Sequence, residues 1–326
     1  MSHGHTQIAW DPALVDDLQR LLKIALQEDL NGNQDLTTQA LVPADARGTA
    51  RVVARVPGVV AGIRVGEELT ALMGAATRWE PQVADGTEVR RGDCLATWRG
   101  SAQEMLTGER TLLNVLCHLS GIATLTHQFA QAVAGTGAKI CDTRKTLPGW
   151  RRLQKYAVRC GGGCNHRMGL FDAVLIKDNH LSWGAQAAAD QTYDLVTAVQ
   201  QARAKAPETD RPIIEIEVDT LAQLEAVLPA RPDIVLLDNM DLESLRAAVA
   251  LRDEGAAQVL LEVDDEADGR KKRFLFSGDV GRGDNDLLAD PVVPEDIDFL
   301  LMESTYGGRE HELPTGSDER IATIIN

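Results

Sequence analysis

The spacing of hydrophobic residues predicts three helices in the first 134 residues of the chain. From Asp11 to Glu28, apolar residues recur on one face of a helix, as in an amphipathic helix packed on a core. Two further helical patterns cover about 102–119 and 121–134, with a break at Ser120 between them. The first half of the chain therefore begins and ends with predicted helices.

Between these helices, and again after residue 138, the pattern changes to short β-like runs. Residues 48–100 contain the runs Ala50–Val56 and Val59–Ile63, with Asp85-Gly86 and Arg91-Gly92-Asp93 as turn signals. Later candidate strands are 138–142, 173–177, 213–218, 233–238 and 257–262, with helical segments between most of them. This alternation favours parallel βα units, and hence an α/β barrel or a doubly wound sheet.

Four of these later strands in succession end in charged residues. Asp142 and Arg144 close the first, Lys177 the second, Glu217 the third and Asp238 the fourth. In βα barrels the carboxyl ends of the strands and the loops after them carry the chemistry. We therefore expect an active site at this edge, although strand ends also border loops that are polar in any case.

The composition is that of a globular protein without a membrane span. Of the 326 residues, 44% are hydrophobic and 25% are charged. The sequence contains no continuous apolar run long enough for a transmembrane helix, and residues 1–7 lack the apolar core of a signal peptide. We therefore expect a cytoplasmic protein.

The five cysteines are too few and too scattered for a disulfide framework. Cys160 and Cys164 form a pair at a spacing of four residues. Structural zinc sites usually need four close ligands, so this pair alone does not predict a zinc site.

Positive charge is concentrated in one part of an acidic chain. The net charge is −16, yet residues 142–180 hold eight Lys and Arg against three acids, a local balance of +5. Such a patch suits a small, highly charged anion. A long nucleic acid would be repelled over most of the remaining surface, so we expect no nucleic-acid partner.

Arg144, Lys145, His166, Arg167 and Lys177 have the chemistry to neutralise carboxylates and phosphates together. The planar fork of an arginine matches two oxygen atoms at once. Gly161, Gly162 and Gly163 would let the backbone approach a ligand closely, although a plain turn explains three glycines equally well.

Glu217 and Asp238 supply the opposite charge on neighbouring predicted strands. Carboxylates beside a polyanion site can hold Mg²⁺, bind sugar hydroxyls or stabilise a developing cation. The alternative for each is a salt bridge to the basic cluster.

Several motifs, in one order along the chain, resemble those of the quinolinate phosphoribosyltransferase family, and the resemblance covers about residues 8–262. The motifs are Glu28-Asp29-Leu30 with Asp35-Leu36-Thr37-Thr38, Gly108–Asn114, Leu119–Thr124, Asp142-Thr143-Arg144-Lys145-Thr146, Gly161–Arg167, Leu175–His180, Ile214–Val218 and Leu236–Met240. One of these motifs alone would be weak evidence, whereas the set is highly specific.

The resemblance implies a fold and a reaction. The fold is α/β: an N-terminal α/β sandwich domain over 1–115 and an open α/β barrel over 116–262, incomplete at its C-terminus, in a homodimer or larger homo-oligomer. The reaction converts quinolinate and phosphoribosyl pyrophosphate to nicotinate mononucleotide, pyrophosphate and carbon dioxide, with Mg²⁺, as a step of de novo NAD biosynthesis.

The resemblance also implies roles for eight residues. Arg144, His166 and Arg167 would bind the quinolinate carboxylates, and Arg110 would reach the same pocket from the partner subunit. Lys145 and Lys177 would serve the substrate carboxylate and the phosphates, with Lys145 counted as catalytic. Glu217 and Asp238 would hold the ribose hydroxyls and Mg²⁺ and stabilise the cationic transition state.

The resemblance ends near residue 262, where a segment of different character begins. The family continues with glycine-rich loops that bind a 5′-phosphate, whereas residues 263–326 hold 16 acids and seven Lys and Arg. This segment resembles a fragment of metallo-β-lactamase-type RNA-processing nucleases, in which Asp279 would be a metal ligand and Glu303 would lie near the metals. A parallel crossover needs a dozen or more residues, so we expect an antiparallel hairpin at about 258–277, with low local order after it.

Three functional hypotheses follow. The chain is an active quinolinate phosphoribosyltransferase with a replaced terminus, or a catalytically impaired relative that keeps part of the quinolinate site. The third hypothesis is a metal-dependent RNA nuclease. It is the weakest, because the His-x-His-x-Asp-His motif that supplies most metal ligands in those nucleases does not occur in this sequence.

Overall fold

The computed structural model describes residues 5–136, 138–187, 193–206, 211–255, 259–263, 274–277 and 299–302. The chain divides into two compact units, one up to Met168 and one from Gly169. No helix in these described ranges is long and apolar enough to cross a membrane. Asp279 and Glu303 lie outside the described residues.

The first unit combines five helices and five strands within the described residues. They are α1 (Pro12–Leu30), α2 (Leu36–Leu41), β1 (Arg47–Val53), β2 (Gly58–Val59), α3 (Val65–Met73), β3 (Thr77–Pro81), β4 (Glu88–Val89), β5 (Cys94–Ser101), α4 (Ala102–Ala132) and α5 (Arg151–Cys160). Strands β1, β5 and β3 form an antiparallel sheet in that order, and β2 pairs with β4.

Helix α1 confirms the amphipathic pattern. The Asp11 carboxylate caps its start by accepting a hydrogen bond from the Leu14 amide at 2.8 Å, and Pro12 occupies the first turn, where no amide donor is needed. Leu14, Leu18 and Leu22 are fully buried on one face. The turn signals at Asp85-Gly86 and Arg91-Gly92 also form turns.

The predicted break between two helices at Ser120 is wrong, because α4 runs unbroken through Ser120 and Gly121. A glycine inside a helix costs about 1 kcal/mol, which the continuous buried face of α4 outweighs. Ser120 and Thr124 on this helix accept hydrogen bonds from the backbone amides of Ala61 and Val59, at 3.1 and 2.9 Å. The Leu119–Thr124 motif thus fastens the β2 segment to the helix.

The predicted strand at 138–142 is also wrong. Within the described part of the chain, its residues form a single parallel bridge, Cys141 with Cys164. Two hydrogen bonds hold it: the Cys164 amide donates to Ile140 O at 2.8 Å and the Asp142 amide donates to Cys164 O at 3.1 Å. The facing segment follows a run of glycines and is too short for a ladder. Asp142 and Arg144 therefore follow a bridge and not a strand.

The second unit contains a parallel sheet with strands in sequential order. Its elements are β6 (Ala173–Ile176), α6 (Asp178–Ala187), α7 (Leu195–Lys205), β7 (Ile213–Val218), α8 (Leu221–Val227), a 3-10 turn at Leu228–Ala230, β8 (Ile234–Leu237), α9 (Leu242–Gly255), β9 (Leu260–Val263), β10 (Phe274–Ser277) and β11 (Phe299–Met302). The sheet order is β6-β7-β8-β9, all parallel. The α/β fold class and the parallel βα alternation are confirmed.

The predicted antiparallel hairpin at 258–277 is wrong for the described strands. Strand β9 pairs in parallel with β8, and β10 pairs in parallel with β11 in a separate two-stranded sheet. The sequence between Ser277 and Phe299 is long enough for a parallel crossover from β10 to β11. The shorter sequence between β9 and β10 is too short for a parallel crossover between those two strands. The predicted low order after the hairpin concerns residues outside the described part.

Candidate active site

In the first unit, the bridge between Cys141 and Cys164 brings two basic segments side by side. Arg144 and Lys145 follow one side of the bridge, and His166 and Arg167 follow the other. The sequence places these residues about twenty positions apart, and the bridge makes them neighbours.

Arg144 and Lys145 differ in how far they are exposed. Arg144 is half-buried, and its Nε atom is buried with no hydrogen-bond partner among the described residues. A buried guanidinium donor without a partner is costly, so this atom is suited to receive an anion. Lys145 is exposed, and its amide donates to Thr143 Oγ1 at 3.0 Å, which shapes the turn.

Arg167 is buried, with 7% of its surface exposed, and His166 is half-buried. The His166 ring lies 4.5 Å from the ring of His5, centroid to centroid. Buried arginines are rare in proteins unless they are paired. The two side chains therefore lie in an enclosed environment, where electrostatic interactions are stronger than in water.

Asp142, Lys155 and Asn165 form a buried polar network under this segment. Of the three, the sequence singled out only Asp142, as a charged residue at a predicted strand end, and assigned it no role. Lys155 on α5 and Asp142 form an ion pair whose side chains are 1% and 7% exposed. Burial raises the pKa of Asp142, and the positive charge of Lys155 opposes that rise. Asn165 Nδ2 donates to Asp142 Oδ2 at 2.6 Å.

Arg110 lies on α4, and it is exposed within its own chain. Leu106, one turn earlier on the helix, is 49% exposed, and Leu36 and Leu41 of α2 are 81% and 75% exposed. Exposed apolar side chains in such numbers are common where a surface meets another protein.

In the second unit, Lys177, Glu217 and Asp238 lie at the carboxyl ends of neighbouring strands, as predicted. Lys177 follows β6, Glu217 is next to last in β7 and Asp238 follows β8. Strand alternation places all three on the sheet face opposite the hydrophobic cluster that contains Ile216 and Leu237. Lys177 Nζ donates to Glu217 Oε2 at 2.5 Å.

His180 has a local structural role beside this pair. The Lys177 amide donates to His180 Nδ1 at 2.9 Å, which fixes the turn from β6 into α6. The Asp238 amide donates to Val218 O at 3.0 Å, so that Asp238 prolongs the pairing of β8 with β7. These contacts hold Lys177 and Asp238 at the strand ends.

Sequence reasoning missed two further carboxylates on this face of the sheet. Glu215 is fully buried two residues before Glu217, and Glu262 in β9 is level with Leu236 in β8. The two-residue period of a strand would have found Glu215, because it lies two residues before the predicted Glu217 in the same strand. Glu262 becomes apparent only from the register of β9 with β8.

Comparison with known proteins gives the following matches. The family model described as "Quinolinate phosphoribosyl transferase, N-terminal domain" matches residues 35–120, and the corresponding C-terminal domain matches 122–265. The nicotinate-nucleotide pyrophosphorylase [carboxylating] of Mycobacterium leprae is 47% identical over 251 residues, which cover 76% of this chain and 84% of the relative. A probable enzyme of the same name from Bacillus subtilis is 37% identical over 70% of this chain and 75% of the relative.

Solved structures agree with these matches. The nicotinate-nucleotide pyrophosphorylase from Francisella tularensis superposes with a TM-score of 0.71 at 33% identity, covering 82% of this chain and 88% of that one. A structure from Streptococcus pyogenes gives a TM-score of 0.70 at 37% identity, covering 80% and 86%.

Proposed function

The chain belongs to the quinolinate phosphoribosyl transferase family, and we propose that it transfers the phosphoribosyl group of phosphoribosyl pyrophosphate to quinolinate. The products are nicotinate mononucleotide, pyrophosphate and carbon dioxide, and the reaction serves NAD biosynthesis. The observation that carries the proposal is the pair of basic segments joined by the Cys141–Cys164 bridge, with a buried, unpartnered Arg144 Nε.

Quinolinate is a dianion, and this pair of segments has the matching charge. Arg144, His166 and Arg167 bind its two carboxylates, and Lys145 lies at the same turn for the carboxylate or the phosphates. Each hydrogen bond to a charged group contributes about 1.5–3 kcal/mol net, so several are needed to hold a doubly charged ligand out of water. The enclosed position of Arg167 supports this role.

Glu217 and Asp238 stabilise the transition state. As pyrophosphate leaves, the ribose carbon becomes cationic, and carboxylates nearby lower the barrier electrostatically. The ring nitrogen of quinolinate attacks that carbon and becomes positively charged. The adjacent carboxylate then leaves as carbon dioxide, and the electron pair of the broken bond stays on the ring carbon beside the positively charged nitrogen, which stabilises it. A proton taken up at that carbon completes nicotinate mononucleotide.

Mg²⁺ fits the donor set in the second unit. Glu217 and Asp238 offer hard carboxylate oxygens from adjacent strands on one face of the sheet. Mg²⁺ is usually held by one or two carboxylates, water and substrate phosphates. When bound, the ion would neutralise charge on the diphosphate leaving group, and Lys177, which contacts Glu217, would bind phosphate beside it.

An assay with all three components tests the activity. Purified chain, quinolinate, phosphoribosyl pyrophosphate and Mg²⁺ should yield nicotinate mononucleotide and one carbon dioxide per turnover, measured by chromatography and by release of labelled carboxylate. Nicotinate in place of quinolinate is the control, because it lacks the carboxylate that leaves. Absence of product together with absence of quinolinate binding would contradict the proposal.

We propose further that the chain works as a homodimer or larger assembly in which Arg110 enters the partner's site. The exposed Arg110, one helical turn from the exposed Leu106 on α4, supports this arrangement. Subunit mixing tests it with Arg110→Ala and Lys177→Met chains, each of which should be inactive alone. Random mixing makes about half of the dimers hybrids, and one of the two sites in each hybrid is intact, so the mixture should regain about a quarter of wild-type activity. No recovery after verified hybrid formation would contradict a shared site.

A second candidate function is quinolinate binding with little turnover. It is favoured by the end of the family match at residue 265, beyond which the acidic segment stands where the family has glycine-rich phosphate loops. Calorimetry separates the two candidates. Tight quinolinate binding without product formation supports the second, and product formation at a rate typical of the family excludes it.

A further inference from the structure

The buried ion pair between Asp142 and Lys155 is unusual in where its hydrogen bonds go. Lys155 is at a core position of α5, between the buried Leu153 and Ala157, and its side chain is 1% exposed. Lysines are almost never fully buried unless they are paired. Here the pair also binds main-chain groups of the basic segment.

Both main-chain polar groups of His166 are held by this pair. The His166 amide donates to Asp142 Oδ1 at 2.9 Å, and Lys155 Nζ donates to the His166 carbonyl at 3.0 Å. Lys155 Nζ also donates to Asp142 Oδ1. The three groups thus close a ring around residue 166, which fixes its backbone and the direction in which the His166 side chain and the next residue, Arg167, leave it.

Asn165 ties the same carboxylate to the rest of the unit. Its Nδ2 donates to Asp142 Oδ2 at 2.6 Å and to the Lys155 carbonyl at 2.8 Å, and its Oδ1 accepts from the Ile8 amide at 2.7 Å. Asn165 is 1% exposed. Both oxygens of Asp142 are therefore used to place residues 165 and 166.

Asp142 also precedes Arg144 by two residues, so one carboxylate connects the two basic segments. A buried ion pair is weak evidence for a stabilising role, because apolar residues of similar volume often serve stability equally well. Binding sites, in contrast, need side chains held within a fraction of an ångström by supporting hydrogen bonds. The contacts of this pair suit that purpose.

We infer that Asp142 and Lys155 are positioning residues for quinolinate: their ion pair holds the backbone of residue 166, so that His166 and Arg167 face the substrate carboxylates together with Arg144. This inference rests on the proposed function. Neither residue touches the substrate, and their effect is exerted through the placement of the residues that do.

The test separates quinolinate affinity from affinity for phosphoribosyl pyrophosphate. Lys155→Met leaves the Asp142 carboxylate buried without its counter-ion, so a second variant, Asp142→Leu with Lys155→Met, removes both charges and guards against simple unfolding. Circular dichroism and thermal denaturation check that each variant folds. We expect the folded double variant to raise the KM for quinolinate about tenfold or more, with the KM for phosphoribosyl pyrophosphate within about twofold.

Arg152→Met is the matched control. Arg152 lies on the same helix and pairs with Asp17 at 2.9 Å, a contact that does not involve residue 166. This variant should keep the wild-type KM for quinolinate. A uniform loss of affinity for both substrates in the double variant would indicate a merely structural role and overturn the inference.

Direct calorimetry with quinolinate distinguishes failure of the inference from failure of the proposed function. If wild type binds quinolinate and the folded double variant binds it equally well, the positioning role is wrong and the function stands. If wild type does not bind quinolinate at all, the proposed function fails, and the inference fails with it.

Discussion

Lys177 and Glu217 meet across two neighbouring parallel strands, with Lys177 Nζ 2.5 Å from Glu217 Oε2. The Glu217 side chain is 13% exposed and that of Lys177 is 44% exposed, so the carboxylate is the more enclosed partner. A cation and an anion thus share the strand ends where the ribose and phosphates are proposed to bind. In the proposed mechanism, substrate phosphates replace Glu217 as the partner of Lys177, and the Glu217 carboxylate then faces the developing ribose cation.

Replacing Glu217 by alanine should reduce kcat about tenfold to a thousandfold, the usual range for an electrostatic contribution to a transition state. Steady-state kinetics with saturating substrates measure the effect. Arg203→Met, which removes the exposed pair of Arg203 with Asp233 in the same unit, is the control and should leave kcat unchanged. Full activity after removal of both Glu217 and Asp238 would rule out the proposed role.

Arg144→Lys should raise the KM for quinolinate about tenfold to a hundredfold, since lysine keeps the charge but loses the planar fork and with it about 1.5–3 kcal/mol of charged hydrogen bonding. The KM for phosphoribosyl pyrophosphate should change much less. Arg20→Lys is the control, because Arg20 forms an exposed pair with Asp16 on α1. Equal quinolinate affinity in the wild type and in Arg144→Lys would mean that Arg144 makes no bidentate contact.

Strong local periodicity explains what the sequence predicted well. Helix α1 and strands β6, β7 and β8 were found because their apolar residues repeat at the helix or strand period over most of the element. Lys177 and Asp238 follow from those strands, since the residue after a buried run is fixed once the run is known.

Contacts between residues far apart in the sequence explain the predictions that were wrong or absent. The break predicted at Ser120 came from two separate local helical patterns, whereas packing of the whole α4 face decides that the helix continues. The pairing of Cys141 depends on Cys164, which lies on the far side of α5 in the sequence. The burial of Lys155 was not predictable either, because only the fold shows that its partner Asp142 is opposite.

The stability of the chain should fall as the pH drops below 6.5 in a way that depends on His118. Gln154 Oε1 accepts from the Leu147 amide at 3.0 Å, so Gln154 Nε2 donates to His118 Nε2 at 2.9 Å, and that nitrogen must be unprotonated. Burial lowers the pKa of His118 below its ordinary 6.5. The unfolded chain therefore binds the proton first, and acidification favours unfolding.

Denaturant unfolding at pH 7.5 and at pH 5.5 measures this dependence. His118→Gln should lose less free energy of unfolding between the two pH values than wild type does. Cys117→Ser, a change at an exposed neighbour on α4, should behave like wild type. An identical pH dependence for His118→Gln and wild type would mean that His118 does not contribute.

Replacing residues 263–326 with the corresponding C-terminal segment of the Mycobacterium leprae relative should increase affinity for phosphoribosyl pyrophosphate and raise turnover. The family match ends at residue 265, and residues 263–326 carry 16 acids against seven Lys and Arg. Glycine-rich loops supply backbone amides that bind phosphate, which the side chains of Lys145 and Lys177 do not replace geometrically. Calorimetry with phosphoribosyl pyrophosphate and the product assay measure both effects, and the same graft on a Glu217→Ala chain should remain slow.

If the original chain and the graft form nicotinate mononucleotide at equal rates, residues 263–326 do not limit catalysis, and the hypothesis of an impaired enzyme is wrong.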